Sequence, residues 1–304
     1  MTVAVSTPTA VGRTMVAMGT TVTIKVIPGP STPGDAGAAI DRALAWFPRV
    51  EACCSRFDAA SELSRLCHRS GGPVVASDLL LHAVSFALAL AERTNGAFDP
   101  AVGATMLAAG YDRHHATGAP APLPAGDGTW RDISCDRAAR TITLARPLQL
   151  DLGAVVKGLA IDLACRELAA CMHYTVDAGG DVFAAGQPAP DRPWRVGISH
   201  PLLRGTLIDT ITLDGDAACT SATVERGPHL RDARTGAPAR DLASVTVVAQ
   251  TAMAADALGT AAFVMGPERA TALLDEEGVD ALLVHPDGSL TLVGAWERRR
   301  WRPA

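Results

Sequence analysis

The chain has 304 residues, a formal net charge of −5 and 48% hydrophobic residues. That length is enough for one large domain or two ordinary ones, and the acidic balance, without a basic block before the C-terminus, argues against nonspecific nucleic-acid binding. The seven cysteines are odd in number and form no C-x-x-C pair, which predicts free thiols in a reducing compartment. No segment has the unbroken apolar length of a membrane span, and the N-terminus lacks the pattern of a signal peptide. We therefore expect a soluble, cytoplasmic protein without membrane insertion.

The sequence of the first part of the chain predicts one strand and two helices. Residues 18–27 are rich in β-branched side chains and alternate in part, which is typical of a strand. Residues 35–57 carry apolar side chains at helical spacing. A second helix follows Ser77, a good N-cap, and ends at Asn95-Gly96. Residues 116–129 have the composition of a linker.

The second part begins with the stretch DLGAVVKGLAID, which starts at residue 151. We predict a strand over 148–150, a turn at Gly153 and a helix with Lys157 near its first turn. Asp287-Gly288 between two apolar runs indicates a hairpin. Further strands are expected over 174–182, 193–198, 206–213 and 244–249, with a buried helix over 253–266. Strands and helices without regular βαβ alternation favour an α+β fold.

Lys157 is the first candidate for chemistry. A helix N-terminus offers unpaired N–H groups and a partial positive charge, so it attracts phosphate, and a lysine adds a full charge. The spacing around Lys157 does not match the P-loop. The simpler alternative is a lysine that lies along the surface at a helix start or pairs with Asp151.

Two further stretches contain acidic residues beside unusual neighbours. In VDAGGD, residues 176–181, paired glycines permit close approach of a ligand, although a turn between strands explains them as well. In ADALGT, residues 255–260, Asp256 and Thr260 share one face of an otherwise apolar helix. A buried carboxylate needs a partner or a metal, and these oxygen ligands suit Mg²⁺. Asp256 in a helix cap or a salt bridge is the alternative.

His229 is the last candidate. Asp232 and Arg234 follow it within a loop rich in turn residues. A histidine near a carboxylate can act as a general base, but a surface histidine without a role has the same pattern.

Taken together and in order, nine segments resemble the FAD:protein FMN transferase family, the ApbE-like flavin transferases. The segments are MGT (18–20), SRFDAASELSRL (55–66), GAFDPAVG (96–103), DLGAVVKGLAID (151–162), VDAGGD (176–181), PWRVGI (193–198), TSATVER (220–226), HLRDARTG (229–236) and ADALGTAAFVMG (255–266).

The resemblance implies an ApbE-like (T-fold-type) α+β fold with mixed or antiparallel sheets and packed helices. It also implies an enzyme that uses FAD and Mg²⁺, transfers FMN to a threonine or serine hydroxyl of an acceptor protein and releases AMP. His229 matches the base, and a metal is expected at Ala154, Asp256 and Thr260, where Asp256 also serves catalysis. Carried over by motif, the FAD contacts are Met18, Phe57, Ala97, Phe98, Asp99, Asp151, Lys157 and His229.

The sequence differs from the usual family pattern at several positions. Cys67 stands where an asparagine is common, Ala222 replaces a glycine and Ala233 replaces a proline. Only Gly227-Pro228 separates Arg226 from His229, where relatives have a longer hairpin. Two alternatives therefore stay open, an FAD pyrophosphatase that uses water as the nucleophile and a noncatalytic FAD-binding flavoprotein.

The resemblance also suggests a division of the chain. We expect an N-terminal extension over 1–17, the flavin transferase domain over 18–296 and a basic C-terminal tail over 297–304. The tail contains the one basic cluster of the sequence, which we interpret as a solvated chain end.

Overall fold

The computed structural model describes residues 10–29, 35–111, 113, 118, 126, 128–189, 192–223 and 230–302. The strands are β1 (Val11–Ala17), β2 (Thr20–Val26), β3 (Pro73–Val75), β4 (Ile133–Asp136), β5 (Thr141–Leu144), β6 (Tyr174–Ala178), β7 (Asp181–Ala185), β8 (Trp194–Ser199), β9 (Leu207–Leu213), β10 (Asp216–Ala222), β11 (Ser244–Ala249), β12 (Asp280–Val284) and β13 (Leu290–Val293). The α-helices are α1 (Ala36–Leu44), α2 (Trp46–Cys54), α3 (Glu62–Cys67), α4 (Asp78–Arg93), α5 (Gly103–Ala108), α6 (Gly153–Leu168), α7 (Ala252–Met265), α8 (Pro267–Glu276) and α9 (Trp296–Arg299).

One eight-stranded sheet organises the fold. Its strand order is β1-β2-β6-β7-β10-β11-β12-β13, and every neighbouring pair is antiparallel. A three-stranded sheet, β3-β5-β4, and the hairpin β8-β9 complete the strands. The predicted α+β class is confirmed.

The centre of the large sheet, at β11, is buried on both of its faces. Helices α6 and α7 pack together, and α7 lies against β10 and β11. In β11, Val247 belongs to this large core, whereas its neighbour Val248 points into a smaller core formed with the β8-β9 hairpin and Trp296. Such two-sided burial explains why β11 is a continuous hydrophobic run with little alternation.

Several predicted boundaries are confirmed by local geometry. The Ser77 hydroxyl accepts a hydrogen bond from Leu80 N at 3.2 Å and caps α4. Asn95 and Gly96 adopt φ values of 48° and 77°, which end the helical path. Gly266, with a φ of 78°, follows the last residue of α7, and the Asp287-Gly288 turn joins β12 to β13.

The predicted helix over 35–57 is wrong in detail because it is two helices. Pro48 is the third residue of α2, so it has no N–H, and its ring would clash with the carbonyl of Leu44 in a continuous helix. The chain therefore breaks at Ala45.

The predicted strand over 148–150 is also wrong. Gln149 O accepts from Gly103 N at 3.1 Å, and Leu150 N donates to Cys67 Sγ at 3.4 Å. These backbone groups are therefore satisfied by a loop and a thiol instead of a strand neighbour. Lys157 is the fifth residue of α6, directly after the first turn, which agrees with its predicted place near the helix start.

The C-terminal basic cluster is not simply solvated, contrary to the prediction. Arg299 pairs with Asp216 and Asp280, and Arg300 donates to Asp209 at 2.6 Å. The side chain of Trp296, fully buried, brings these arginines onto the sheet. At the other end, β1 pairs along its whole length with β2 and forms the sheet edge ahead of residue 18. The predicted three-part division of the chain stays a prediction.

All seven cysteines carry free thiols, as predicted, with Cys53 and Cys135 partly exposed and the others buried. Among the residues that the structure describes, no helix has the length and apolar character of a membrane span. The cytoplasmic location stays a prediction.

Candidate functional site

Three charged side chains meet where α6, β7 and α7 converge. Lys157 Nζ pairs with Asp181 Oδ2 and lies 3.3 Å from Asp256 Oδ2. The side chains of Lys157, Asp181 and Asp256 are 19%, 5% and 11% exposed. We call these three residues the lysine cluster. They form a buried ionic group in the largest core of the protein, where charges need good partners.

The helices that hold Lys157 and Asp256 approach each other unusually closely. A Cβ on Gly158 would lie 2.4 Å from Ala252 O, so only glycine permits this contact between α6 and α7. The start of α7 is held by Asp162, whose carboxylate accepts from Ala252 N at 2.7 Å and from Met253 N at 3.0 Å. Burial raises the pKa of Asp162 to about 6, although the two N–H groups oppose this shift.

Asp181 is placed by a tight hairpin. Gly179 and Gly180, with φ values of 67° and 94°, turn the chain from β6 into β7, so the simpler interpretation of VDAGGD as a turn between strands is confirmed. The first residue after that turn is Asp181. Its Oδ1 accepts from Thr220 N at 3.2 Å, which fixes the carboxylate against β10.

The donor set of the lysine cluster suits a divalent cation. One ammonium and two carboxylates leave a single negative charge in excess, in a setting where burial makes excess charge unfavourable. The Thr260 hydroxyl lies 3.2 Å from Ser221 Oγ, so hydroxyl oxygens accompany the carboxylates on this side of α7. Hard oxygen ligands of this kind are those that Mg²⁺ prefers. The third predicted metal ligand, Ala154, lies three residues before Lys157 on α6.

Cys219 lies beside the lysine cluster but has no ionic role. It is fully buried, and burial followed by the charge of Asp256 raises the pKa of its thiol well above the usual value. The thiol lies 3.6 Å from Ala252 O, to which it donates. It therefore stays neutral and fills the space beneath α7.

A second group of polar residues lies at the start of α6. Asp151 Oδ1 accepts from Gly153 N at 2.8 Å, and its Oδ2 lies 2.9 Å from Arg56 Nε. Arg56 is 7% exposed, donates to Tyr111 O at 2.8 Å and places its guanidinium 4.1 Å from the ring centroid of Phe57. Two of the predicted FAD contacts, Phe57 and Asp151, are thus joined through Arg56.

The predicted contacts Ala97, Phe98 and Asp99 lie next to this group. Asp151 N donates to Pro100 O at 2.8 Å, which brings their segment to the start of α6. The side chains of Ala97 and Phe98 are buried in the core, whereas Asp99 accepts from Ala101 N and Trp130 N at 2.8 Å and 3.0 Å. Burial raises the pKa of Asp99, and those two N–H groups limit the rise.

Met18 lies in the turn between β1 and β2 with a φ of 51°. Its N–H donates to Glu51 Oε2 at 3.0 Å. Because Val22 pairs with Ala178, this turn is next to the β6-β7 turn that precedes Asp181. The structure therefore brings the Met18 turn to the same end of the strands as Asp181, a member of the lysine cluster.

The loop after residue 229 folds onto the same region. Ala233 N lies 3.4 Å from Ala97 O, to which it donates. Asp232 forms a two-pronged ion pair with Arg234, at 2.9 Å and 2.5 Å, and this pairing lowers the pKa of Asp232. His229 lies outside the described residues, so its role as the base stays a prediction.

Two of the simpler alternatives can now be decided. Pairing of Lys157 with Asp151 is wrong, because Asp151 pairs with Arg56 while Lys157 reaches across to β7 and α7. The salt bridge proposed for Asp256 is confirmed, with Lys157 as its partner.

Sequence reasoning missed Asp181 and Arg56 as site residues. Both occur within segments that were singled out, VDAGGD and SRFDAASELSRL, but each acquires its partner only through the fold. The signal in the sequence that could have identified them is a charged residue next to a run of apolar residues. Cys67, at the position where asparagine is usual, accepts from Leu150 N, and burial raises its pKa to about 11.

The sequence model of the ApbE family matches residues 18–283, most of the chain. The chain belongs to the ApbE family. The resemblance seen in the nine segments is thereby confirmed.

Named relatives agree with this family. The FAD:protein FMN transferase of Treponema pallidum (strain Nichols) is 33% identical over 288 residues, which cover 82% of this chain and 78% of the relative. The FAD:protein FMN transferase of Vibrio cholerae is 29% identical, with 88% and 85% covered. The crystal structure of the ApbE protein from Thermotoga maritima superposes with a TM-score of 0.84 at 27% identity, covering 97% of this chain and 100% of that one. The flavin transferase ApbE from Vibrio cholerae gives a TM-score of 0.83 at 25% identity, with 96% and 99% covered.

Proposed function

We propose that this chain is an FAD:protein FMN transferase that depends on Mg²⁺. In the proposed reaction, a threonine or serine hydroxyl oxygen of an acceptor protein bonds to the FMN phosphorus of FAD. The bond from that phosphorus to the bridging oxygen breaks, AMP leaves, and the hydroxyl proton passes to a base. The flavin remains on the acceptor as a phosphoester.

The observation that carries this proposal is the lysine cluster, in a chain of the ApbE family. A pyrophosphate carries negative charge that must be compensated wherever a protein binds it, and phosphoryl transfer depends mainly on positioning and charge neutralisation. The cluster has one ammonium, at Lys157, and carboxylates that suit a divalent cation. Bound there, Mg²⁺ would supply charge neutralisation on the phosphates.

The remaining residues would bind and orient the substrate. Asp256 and Thr260, with the backbone of Ala154, would hold the cation, and Lys157 would contact the pyrophosphate. Phe57 and Asp151, which the buried Arg56 joins at the start of α6, would contact the dinucleotide. The predicted contacts Ala97, Phe98 and Asp99 lie in the segment that Asp151 N holds through Pro100 O, and Met18 lies beside the β6-β7 turn that precedes Asp181.

His229 would take the proton from the acceptor hydroxyl. An imidazole with an ordinary pKa of about 6.5 is suited to that step near neutral pH. The resemblance to the family assigns this role to His229.

The test is an incubation of the protein with FAD, Mg²⁺ and candidate acceptor proteins, followed by intact-mass measurement and quantification of AMP. We expect an acceptor mass shift equal to one FMN moiety, with AMP formed in equal amount. AMP without an adduct would instead indicate the FAD pyrophosphatase, and FAD that stays intact would indicate the noncatalytic flavoprotein. Either outcome would overturn the transferase proposal.

A further inference from the structure

Asp181 holds a position between the two groups to which the proposed function assigns roles. It is 4% exposed, begins β7 and is fixed by the N–H of Thr220 at 3.2 Å. Its second oxygen pairs with Lys157 Nζ. The carboxylate is therefore held by the backbone on one side and occupied by the ammonium on the other.

The ammonium of Lys157 is within reach of two carboxylates. Asp256 Oδ2 lies 3.3 Å from Nζ, so Asp256 is the alternative partner whenever Asp181 does not hold the ammonium. An ammonium and a divalent cation compete for the same carboxylate, because each satisfies its charge and its lone pairs. If Lys157 paired with Asp256 alone, it would oppose metal binding there.

We propose that Asp181 is a positioning residue that draws the Lys157 ammonium away from Asp256. Asp256 then binds the divalent cation while Lys157 stays beside it, free to turn toward the phosphates of the substrate. The inference rests on the proposed Mg²⁺ dependence and adds a residue to that site. It assigns each cation of the site its own carboxylate.

Lysine suits this role better than arginine would. The ammonium is a compact charge at the end of a flexible stem, and its three donors rotate freely. It can therefore exchange partners without moving α6, whose position is fixed by the contact of Gly158 with Ala252. Asp181, by contrast, is rigid because its other oxygen is bonded to the backbone of β10.

The test is a double-mutant cycle read by calorimetric titration of the protein with Mg²⁺ alone. The variants are Asp181→Asn, Lys157→Met and the double variant. We expect Asp181→Asn to weaken Mg²⁺ binding by about tenfold or more, because Lys157 then pairs with Asp256. Lys157→Met should strengthen Mg²⁺ binding by at least about tenfold more in the Asp181→Asn background than in the wild-type background.

This non-additivity separates positioning from other roles. If Asp181 acted only through its charge, or were itself a metal ligand, Lys157→Met would strengthen Mg²⁺ binding no more in the Asp181→Asn background than in the wild-type background, and the inference would be overturned. Asp216→Asn is the matched control, because Asp216 is a mostly buried aspartate of the same sheet whose ion pair is with Arg299. The Mg²⁺ affinity of this variant should equal that of the wild type. A comparable loss in that variant would also overturn the inference.

One further variant and one further titration complete the test. Asp181→Asn retains an oxygen that can accept from the Thr220 N–H. Asp181→Ser is the second variant if Asp181→Asn does not fold. FAD titration of the wild type with and without Mg²⁺ tests the underlying proposal. No Mg²⁺ binding by the wild type under either condition would overturn the proposed metal dependence and this inference together, whereas unchanged affinity in Asp181→Asn would overturn this inference alone.

Discussion

Two places in the molecule use one cation between two aspartates, and they differ in how that cation is held. Near the C-terminus, Arg299 donates from Nε to Asp280 and from Nη1 to Asp216. In the lysine cluster, Lys157 pairs with Asp181 and Asp256. Both groups are mostly buried, so the net charge and the burial alone do not distinguish them.

The difference lies in the donor geometry and in the neighbours. The planar guanidinium of Arg299 fixes the directions of both bonds, and Arg300 and Trp296 add two donors to Asp209, at 2.6 Å and 2.9 Å. That C-terminal group is a rigid clamp between α9, β9 and the sheet. The lysine cluster has a rotatable ammonium with hydroxyls nearby, which permits its partners to be exchanged for a ligand.

Removing Asp256 should give the largest functional loss. Asp256→Ala is expected to abolish Mg²⁺-dependent release of AMP from FAD, because phosphate charge would stay uncompensated. The measurement is AMP formation with Mg²⁺ added in excess. Wild-type turnover by this variant without chelator would show that the lysine cluster is, like the C-terminal group, only structural.

Removing His229 tests the other half of the proposed reaction. If it is the base, His229→Ala should slow the transfer of FMN by about 10²–10⁴-fold. FAD should still bind to this variant, as measured by calorimetry, because the lysine cluster is intact. An unaltered transfer rate would assign the proton transfer to another group.

Arg299→Gln should have the opposite profile. Loss of the Arg299 guanidinium leaves Asp216 and Asp280 without their main partner. We therefore expect the free energy of unfolding to fall by about 3 kcal/mol. Urea titration measures this loss, and calorimetry should show an unchanged FAD affinity. Weakened FAD binding in a folded Arg299→Gln protein would contradict the separation of clamp and site.

Asp162, which holds the start of α7 beside the lysine cluster, should give a smaller effect, a dependence of the free energy of unfolding on pH. The folded-state pKa of Asp162 is raised to about 6 by burial, above its unfolded value, so folding favours its protonated form. Its stabilising contribution is therefore present below about pH 4 and is lost as the pH rises through 6. Asp162→Asn should remove this loss.

The measurement is the difference in the free energy of unfolding between Asp162→Asn and the wild type at pH 4 and pH 7. We expect the difference to shift in favour of the variant by about 2 kcal/mol at the higher pH, after allowance for partial exposure. A difference that is the same at both pH values would show that folding does not shift the pKa of Asp162.

Features with a local cause could be predicted from the sequence. The Ser77 cap, the Asn95-Gly96 stop and the Asp287-Gly288 turn each follow from the conformations that these residue types prefer. Where long-range contacts decide, prediction failed. Residues 148–150 look like a strand, but their backbone bonds go to Gly103 and Cys67, which lie far away in the sequence.

The candidate site was predictable in the same uneven way. The unusual setting of Asp256 in an apolar helix identified it, and its salt bridge with Lys157 was among the stated alternatives. Asp181 follows a glycine turn that many hairpins share, and its contact with Lys157 depends on how α6 packs against the sheet. Pairings between distant elements leave no periodic pattern, so Arg56 and its bond to Asp151 were missed too.

The most direct test of the central claim is a crystal structure of the protein with FAD and Mn²⁺, a cation whose anomalous scattering locates it. We predict one ion bound to Asp256 and the pyrophosphate of FAD between that ion and the Lys157 ammonium. A dinucleotide bound elsewhere, with Lys157 still paired to both Asp181 and Asp256, would contradict the account.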